Sequence, residues 1–241
     1  MAKQIWKPGN MVYPLPAVMV STADKNGEDN IITVAWTGTI CTNPAMLYIS
    51  VRPERYSYHM IKESGEFVVN LTTEALARAT DWCGVRSGRD VDKWLKCNLT
   101  KEKADTVKCP LIAESPVNIE CKVTEIKELG SHHMFIADVT AVHVDESYMD
   151  KNNSFHLNDS NLLAYSHGSY FGLGNELGTF GYSIRKKKAA AKSSQKAEKK
   201  SHTDKKRIVK EKKSMSQKVM AKQNIKHSKT TVKNKRIKKH K

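Results

Sequence analysis

The positive charge of this chain is concentrated in its C-terminal part, and this division limits which part of the chain can fold. Residues 185–241 contain 24 of the 41 Lys and Arg residues but only three acidic residues, so their net charge is 24 − 3 = +21. Residues 1–184 contain the other 17 basic residues and 22 acidic residues, a net charge of −5, and the two parts sum to +16. A segment of 184 residues is long enough for one domain with its own hydrophobic core. The sequence therefore predicts a folded domain over residues 1–184 and a separate basic segment over residues 185–241.

The basic segment, residues 185–241, is rich in Lys, Ala, Ser, Thr and Gln and contains no Phe, Trp or Tyr. Such a composition buries too little apolar surface to offset the ordering entropy of the chain, so we expect this segment to be disordered. Its cations favour nonspecific binding to the phosphates of nucleic acid, because it has neither aromatic side chains for stacking nor a base-reading motif. The alternative is a solubilising extension without a dedicated partner.

The five cysteines, Cys41, Cys83, Cys97, Cys109 and Cys121, include no Cys-x-x-Cys pair. The sequence therefore shows no dithiol redox motif and no zinc knuckle. Scattered thiols suit a reducing compartment, and no apolar run approaches the ~20 residues needed to span a bilayer. Because the N-terminus also lacks the apolar core of a signal peptide, these features predict a cytoplasmic protein without a membrane partner.

Short strands joined by tight turns dominate the pattern of the folded domain. Asn26-Gly27 is a strong hairpin signal, and residues 31–40 follow it as a strand. Residues 117–128 alternate apolar and polar side chains, Gly130-Ser131 turns the chain, and residues 133–144 form a second long strand. The regular βαβ alternation and the Gly-x-Gly-x-x-Gly motif of a dinucleotide-binding fold are missing. We therefore expect a mainly antiparallel β-barrel with short helices.

Residues 50–70 have the composition of a strand, a sharp corner, one short helix and a second strand. Ser57 is placed to cap the helix, and Gly65 is placed to close it. The corner brings Arg52 and Arg55 to a helix N-terminus, where free N–H groups and the positive end of the helix dipole favour an anion. This arrangement indicates a phosphate site. The alternative is that both arginines are solvated surface charges.

Two further positions suit contact with a planar, partly charged aromatic ligand. Trp36 lies two residues before Gly38, where we expect the strand to be interrupted, and its indole is either a stacking surface or core filler. Lys93 lies in residues 85–98, which we expect to form an irregular functional loop. There it could place a cation beside an electron-rich ring, or it could be a solvated surface lysine.

Histidine and tyrosine residues near the end of the folded domain form a third group of candidates. Adjacent strand residues face opposite sides, so we expect one of His132 and His133 to face a pocket and the other to face outward. Tyr165 and His167 share a face if the last strand continues that far. No nucleophile, catalytic triad or paired carboxylate can be identified from the sequence, so we assign neither a catalytic nor a metal-binding residue.

Seven motifs in series carry a resemblance to a known family. They are Tyr-Pro-Leu-Pro (13–16), Ala-Trp-Thr-Gly-Thr-Ile-Cys (35–41), Ser-Val-Arg-Pro-Glu-Arg-Tyr-Ser (50–57), Gly-Glu-Phe-Val-Val-Asn-Leu (65–71), Ser-Gly-Arg-Asp-Val-Asp-Lys-Trp (87–94), Leu-Gly-Ser-His-His-Met-Phe (129–135) and Ala-Tyr-Ser-His-Gly (164–168). Over nearly all of residues 5–184, the chain resembles the flavin reductase-like family of FMN-binding split barrels, close to its flavoredoxin branch. A single motif of this kind is weak evidence, whereas seven in order are specific.

The resemblance implies a six-stranded antiparallel Greek-key split barrel that forms a homodimer and binds FMN near the subunit interface. It implies that the flavin ring is contacted by Asn30, Trp36, Lys93, His132 and Tyr165. It also implies that Ser57, Arg52 and Arg55 face the ribityl phosphate. The other residues that it assigns to the cofactor site are Thr37, Gly38, Thr39, Ser50 and Tyr56. In this assignment Lys93 stabilises the anionic reduced flavin near its N1/C2 edge, and Asn30 binds near N5/O4. His133 departs from the residue usual in the family.

Two classes of function follow. The first is an FMN-dependent oxidoreductase, a flavin reductase or a flavoredoxin-like carrier, that receives electrons from NAD(P)H or from a redox-protein donor. In such a protein the chain supplies position and electronic tuning rather than acid–base catalysis. The alternative is a non-catalytic flavin-binding or tethering module that its basic tail attaches to nucleic acid. Reduction of bound flavin by NADH or NADPH distinguishes the two classes.

Overall fold

The computed structural model describes residues 1–185. The prediction of a disordered, nucleic-acid-binding tail concerns residues 185–241 and lies, apart from Arg185, outside the described residues. The chain divides into one compact unit over Met1–Gly174 and a second unit that begins at Asn175. The described part of the second unit contains a short 3-10 helix, Tyr182–Ile184.

Residues 1–185 contain twelve strands, three α-helices and four 3-10 helices. The strands are β1 (Leu15–Pro16), β2 (Val18–Ala23), β3 (Asp29–Val34), β4 (Thr37–Thr42), β5 (Ala45–Val51), β6 (Glu66–Asn70), β7 (Lys101–Glu102), β8 (Leu111–Ile112), β9 (Val117–Leu129), β10 (His132–Val144), β11 (Leu163–Ser166) and β12 (Ser169–Gly172). The α-helices are α1 (Tyr56–Ser64), α2 (Ala77–Val85) and α3 (Lys93–Cys97). The 3-10 helices of the first unit are Glu74–Leu76, Glu146–Tyr148 and Leu157–Ser160.

Seven strands form one antiparallel sheet in the order β3-β2-β6-β9-β10-β5-β4. The two edge strands, β3 and β4, are consecutive in the chain and are separated only by Ala35 and Trp36. They are therefore two halves of one bent strand that joins both edges of the sheet. Counted in this way, six antiparallel strands close into a barrel. The expected mainly β split barrel is confirmed.

The break in the bent strand lies at Ala35 and Trp36, so the predicted interruption at Gly38 was wrong. Gly38 is paired with Tyr48 inside β4. The Thr37 N–H donates a hydrogen bond to the Ala35 carbonyl at 3.1 Å, and the Ser50 N–H donates one to the Trp36 carbonyl at 2.8 Å. These two bonds fix a tight corner at Trp36 that the uninterrupted β-rich composition conceals.

The barrel interior is an apolar core to which strands from all sides contribute. The side chains of Val20, Ile49, Phe67 and Phe135 are fully buried there. The ring of Tyr58 in α1 packs edge-on against Phe135, with the ring centroids 5.5 Å apart, so the helix belongs to the same core. Each large apolar side chain buried in this way contributes about 1.5–3 kcal/mol to stability.

A second apolar cluster holds the helices against the outside of the barrel. Met19 of β2 and Ile31 of β3 pack there against Leu76, Cys83 of α2 and Trp94 of α3. Most residues of β2 and β3 are buried, including the polar side chains of Ser21, Thr22 and Asn30, so these strands show no simple alternation of buried and exposed positions. The cluster fixes α2 and α3 beside β3, where the candidate site is built.

Helix α1 ends as predicted but begins differently. Gly65 adopts the left-handed conformation, with φ = 69°, and its N–H donates a hydrogen bond to the Ile61 carbonyl at 2.9 Å. The N-cap position is held by Arg55, and Ser57 lies inside the first turn, so the prediction that Ser57 caps the helix was wrong. The Ser57 hydroxyl is used in a different contact, with Asn30 of β3.

Two other local predictions need correction. Residues 85–98 are not irregular throughout, because α3 begins at Lys93 and the Asp92 side chain caps it by accepting a hydrogen bond from the Leu95 N–H at 3.1 Å. Tyr165 and His167 do not share a strand face. Strand β11 ends at Ser166, and His167 adopts a positive φ of 48° in the turn.

The long hairpin of β9 and β10 agrees with the prediction from sequence. Leu129 pairs with His132 across a turn in which Gly130 has a positive φ of 45°. Within residues 1–185, no helix is long and apolar enough to cross a membrane.

Candidate functional site

Two adjoining cavities lie where β3, the bent-strand corner, α1 and α2 meet. We call the larger one, of about 280 Å³, the aromatic cavity; it is lined by Ala17, Ile32, Thr33, Val34, Ala35, Trp36, Ser50, Val51, Arg52, Arg55, Asp81, Gly84, Val85, His132, Tyr165 and Tyr170. We call the other, of about 190 Å³, the cationic cavity; it is lined by Asn30, Ile32, Glu54, Arg55, Tyr56, Ser57, Cys83, Gly84, Arg86, Ser87, Gly88, Arg89 and Lys93. Ile32, Arg55 and Gly84 line both cavities, so the two together form one extended site.

One wall of the aromatic cavity consists of two parallel rings. Trp36 stands at the corner between β3 and β4, and His132 begins β10. Their ring centroids are 6.2 Å apart and their planes differ by 5°. Burial and the neighbouring charge of Arg52 lower the pKa of His132, which favours the neutral imidazole at pH 7. Two stacked aromatic rings therefore line this part of the cavity.

His133, the next residue, points to a different neighbour. Its Nδ1 lies 2.7 Å from the Tyr58 hydroxyl, and its side chain is only 16% exposed. The two histidine side chains therefore contact different parts of the protein, as strand geometry predicts. The expectation that one of them faces outward was wrong.

Tyr165 and Tyr170 also line the aromatic cavity. These residues are paired across β11 and β12, and their rings are 5.5 Å apart. Burial and the hydrogen-bonded Asp81 carboxylate raise the pKa of Tyr170 to about 12, so its hydroxyl remains a hydrogen-bond donor at neutral pH. Sequence reasoning included Tyr165 in the site and missed both Tyr170 and Asp81.

The cationic cavity surrounds the first turn of α1. The side-chain amide of Asn30 donates a hydrogen bond to the Ser57 hydroxyl at 2.9 Å, and both side chains are buried. A hydroxyl that accepts one bond retains its own proton, and among residues 1–185 it has no acceptor for that proton. Tyr56 donates to the Glu28 carboxylate at 2.6 Å, and the Arg89 guanidinium lies 5.5 Å from the Tyr56 ring.

Lys93 is the buried cation of this cavity. Its side chain is 3% exposed, so the alternative of a solvated surface lysine is excluded. The ammonium donates hydrogen bonds to the carbonyl oxygens of Ile31 and Cys83 at 2.6 and 2.7 Å. An ammonium has three N–H groups, so one remains for a ligand. Burial lowers the pKa of Lys93 from 10.5 to about 8, because the charge has lost water without gaining a carboxylate partner.

The loop that lines the cationic cavity lies within residues 85–98, where a functional loop was expected, but most of its cavity residues were not assigned. Arg86, Ser87, Gly88 and Arg89 all line the cavity, although only Lys93 of this segment was assigned to the site. A Cβ atom at Gly88 would lie 2.3 Å from the side-chain oxygen of Asn30, so only glycine permits the loop to come this close. The signal in the sequence was the Ser-Gly-Arg motif after Arg86, which places two more cations beside the arginine corner.

The structure divides the thirteen residues assigned from the resemblance into four groups. Trp36, Ser50, Arg52, His132 and Tyr165 line the aromatic cavity, whereas Asn30, Tyr56, Ser57 and Lys93 line the cationic one and Arg55 lines both. Thr37, Gly38 and Thr39 line neither. The Thr37 hydroxyl donates to the Tyr48 carbonyl at 2.6 Å, and a Cβ at Gly38 would lie 3.2 Å from the Tyr48 ring.

Of the two arginines at the corner, Arg52 is the one that forms an ion pair within the chain. Its guanidinium donates to the Glu54 carboxylate at 2.9 Å, and both side chains are largely exposed. Such an exposed pair contributes little to stability. Arg55 forms no ion pair among the described residues and stands where the two cavities join.

Asp105, Glu120 and His143 line neither cavity and have ligand atoms close enough to hold a metal ion. Their hydrogen bonds argue against a metal. The Glu120 carboxylate, fully buried, accepts from the backbone N–H groups of Asp105, Thr106 and Val107, from the Thr106 hydroxyl, and contacts His143 Nε2 at 2.5 Å. Burial would raise the pKa of Glu120, but these bonds lower it to about 2. This cluster is a structural tie between β9, β10 and the preceding loop.

The fold and the two cavities agree with what the chain is similar to. Residues 11–174 match the family model described as "Flavin reductase like domain", and the chain belongs to this family. The resemblance identified from the seven motifs is confirmed.

Two solved structures are similar to this chain in fold as well as in sequence. The flavoredoxin of Desulfovibrio vulgaris (Miyazaki F) is 28% identical, with a TM-score of 0.70, and the match covers 76% of this chain and 100% of that one. A flavoredoxin from Methanosarcina acetivorans is 27% identical, with a TM-score of 0.68 and the same coverage of both chains. An uncharacterised protein of Archaeoglobus fulgidus is 31% identical over 139 residues, which is 58% of this chain and 77% of that protein.

Proposed function

We propose that this protein binds FMN in the two joined cavities and transfers electrons through it, as a flavin reductase or a flavoredoxin-like carrier. The observation that carries the proposal is Lys93, a buried ammonium with one unused N–H beside a cavity lined by three arginines. A site of this kind favours a ligand with negative charge. Membership of the flavin reductase family and the flavoredoxin neighbours support flavin as that ligand.

The aromatic cavity fits the planar part of such a ligand. The stacked rings of Trp36 and His132 and the tilted rings of Tyr165 and Tyr170 offer aromatic surfaces to a planar ligand. Aromatic faces bind planar rings by offset stacking or edge contacts. Because the pKa of His132 is lowered, its neutral imidazole can donate or accept a hydrogen bond at a ring edge.

The cationic cavity fits the charged and polar parts. Arg55, Arg86 and Arg89 can form charge-assisted hydrogen bonds to a phosphate, and the first turn of α1 adds its free N–H groups. Ser57 can donate its remaining proton, while Asn30 orients that hydroxyl. Lys93 would hold negative charge at the ring edge or at the ribityl chain, in agreement with the role that the resemblance implies.

When bound, FMN supplies the chemistry of accepting a hydride or single electrons and passing them on. The residues of the chain bind and orient the ring, exclude water and set the local charge. Next to a bound flavin, the Lys93 ammonium would favour negative charge on the ring and so would raise the reduction potential of the cofactor. Such a role needs no catalytic nucleophile, and we assign none.

The proposal includes the cofactor residues and partners expected from the sequence. All thirteen assigned residues stay candidates, with Thr37, Gly38 and Thr39 acting from outside the two cavities. The electron donor is NAD(P)H or a redox protein, the active form is a cytoplasmic homodimer, and the flavin-binding domain comprises residues 1–184. The loop residues Arg86 and Arg89 join the proposed cofactor site.

An anaerobic visible spectrum of the purified protein tests the proposal. The protein is expected to be yellow, or to become yellow when FMN is added, and to bleach after addition of NADH or NADPH. If the yellow protein bleaches only with a reduced redox protein, the result supports an electron carrier and excludes NAD(P)H as its direct donor. A protein that stays colourless after incubation with FMN contradicts the proposal.

The charge of residues 185–241 favours a second candidate function, attachment of the domain to nucleic acid. A net charge of +21 in 57 residues gives strong attraction to phosphate backbones. Binding of DNA or RNA that weakens steeply with salt in the full chain, and is lost in a variant ending at residue 184, would support it. Equal binding by both forms would contradict it.

A further inference from the structure

Cys83 and Cys97 form a close pair of thiols that the sequence spacing conceals. Cys83 lies in the last turn of α2, and Cys97 is the last residue of α3. Their Sγ atoms are 3.7 Å apart, and both residues belong to or pack against the apolar cluster that fixes the two helices to the barrel. Sulfur atoms at this distance need to approach by about 1.7 Å to form a disulfide of about 2.05 Å.

The segment between these two cysteines is the loop that closes the cationic cavity. Residues 84–96 contain Arg86, Ser87, Gly88, Arg89 and Lys93, all of which line that cavity. A bond between Cys83 and Cys97 would therefore join both ends of the cavity wall. Other contacts of this segment include the two hydrogen bonds of Lys93, the Asp92 cap of α3 and the packing of Trp94 in the apolar cluster.

The two thiols differ in accessibility, which sets an order of reaction. Cys83 is 1% exposed, and burial together with the neighbouring Cys97 raises its pKa to about 12, although the Lys93 charge acts in the opposite direction. Cys97 is half-buried and can be reached by a small reagent. A reagent from solution is thus expected to react with Cys97 first, and Cys83 can then react with the product beside it.

We propose that Cys83 and Cys97 are a redox modification site at which a low-molecular-weight disulfide forms an intramolecular disulfide that fixes the loop of residues 84–96. In the first step the Cys97 sulfur loses its proton and attacks one sulfur of the reagent, breaking the reagent's S–S bond and releasing one thiol. In the second step the Cys83 sulfur loses its proton and attacks Cys97 Sγ, releasing the second thiol. The two cysteines are oxidised together by two electrons, and the reagent is reduced to two thiols.

Oxidation restrains the cavity wall before a ligand arrives. A disulfide reduces the conformational freedom of the segment that it encloses, and a preformed site loses less entropy on binding. For the flavin this consequence rests on the proposed function: we expect FMN release from the oxidised protein to be about 2–10-fold slower than from the reduced protein. The cross-link itself does not depend on flavin.

The cross-link is tested by thiol counting and peptide mapping in a Cys41→Ser background, where four of the five cysteines remain. After incubation of the full chain with oxidised glutathione, the denatured protein is expected to show two free thiols, four minus the two that are joined. Mass spectrometry is expected to identify a peptide linked through Cys83 and Cys97. Four free thiols, a stable glutathione adduct at Cys97, or a link between Cys109 and Cys121 would overturn the proposal.

A Cys97→Ala change in the same background is the matched control. It should keep its three thiols free, because Cys83 alone is inaccessible to the reagent. FMN release is then compared between the oxidised and reduced forms of the Cys41→Ser protein. Equal release rates would overturn the effect on the loop, whereas absence of FMN binding in both forms would contradict the proposed function and leave the mapped cross-link intact.

Discussion

Two buried charges in the same barrel illustrate different uses of an ionised side chain. Glu120 of β9 is fully buried and has five hydrogen-bond partners, which hold its pKa down at about 2. Lys93 of α3 is nearly as buried, but it has two carbonyl partners and a pKa lowered to about 8. The environment thus stabilises the charge of Glu120 and destabilises that of Lys93.

The difference shows how to distinguish a buried charge that stabilises the fold from one that is available to bind a ligand. The hydrogen-bonding capacity of Glu120 is used within the chain, where it ties the loop of residues 105–107 to two strands. The capacity of Lys93 is used only in part, and its remaining N–H lies beside a cavity. A buried charge that the fold leaves incompletely satisfied is a candidate ligand contact.

The largest effect is expected from Glu120→Gln. An amide in place of the carboxylate loses the charge-assisted bonds and turns an NH2 group toward N–H donors, so we expect a loss of about 3–5 kcal/mol in the free energy of unfolding. Urea denaturation measures it. Glu125→Gln, on the exposed part of the same strand, is the control and should change stability by less than about 0.5 kcal/mol. Equal stability of both variants would show that Glu120 is not a structural tie.

The same carboxylate predicts an acid limit of stability. The pKa of Glu120 is lower in the folded protein than its ordinary value of 4.5, so its contribution is complete above pH 4.5 and disappears as the pH falls toward about 2. Urea midpoints measured between pH 6 and 2.5 should fall more steeply for the wild type than for Glu120→Gln. Parallel curves would contradict the assignment of this loss to Glu120.

Lys93→Met tests the other charge. Loss of a hydrogen bond from a buried ammonium to an anionic ligand should weaken FMN binding by about 10–100-fold, while removal of the desolvated charge limits the loss of folding stability. Fluorescence titration of FMN measures the affinity. Lys96→Met, an exposed lysine of the same helix, is the matched control and should bind FMN like the wild type. Unchanged affinity in Lys93→Met would exclude Lys93 from the site.

A smaller effect is expected from Arg55→Ala, at the junction of the two cavities. Arg86 and Arg89 remain to neutralise the ligand, so the affinity for FMN should fall by about 10-fold or less, with a larger loss for FMN than for riboflavin, which has no phosphate. Arg78→Ala, an exposed arginine of α2, serves as the control. Equal losses for FMN and riboflavin would remove Arg55 from the phosphate site.

Local signals in the sequence predicted those parts of the fold that depend on neighbouring residues. Alternation over residues 117–128 and the turn at Gly130 gave the hairpin of β9 and β10, and Gly65 gave the end of α1. The corner at Trp36 was misplaced because its hydrogen bond comes from Ser50, on another strand. Pairing between strands, not local composition, determines where the long strand bends.

Local patterns in the sequence suggested separate candidates, such as the arginine corner, but only the resemblance joined them into one site. Nothing local indicates that Lys93 is buried, since its acceptors belong to Ile31, 62 residues away, and to Cys83. The contact between Asn30 and Ser57 spans 27 residues. Glu120 was missed for the same reason, because its donors lie in the loop of residues 105–107 and on the neighbouring strand β10.

The pKa of Lys93, measured by NMR of its side-chain ammonium with and without FMN, tests the central claim most directly. The Lys93→Met protein identifies the signal. We expect a midpoint near 8 in the free protein, and a midpoint about 1–3 pH units higher when FMN is bound, because an opposite charge favours the ammonium. By linkage, FMN affinity should fall as the pH rises through about 8, by up to about tenfold between pH 7 and 9. The claim that Lys93 holds the cofactor would be contradicted if FMN left the titration midpoint of Lys93 unchanged and if the FMN affinity did not fall with pH.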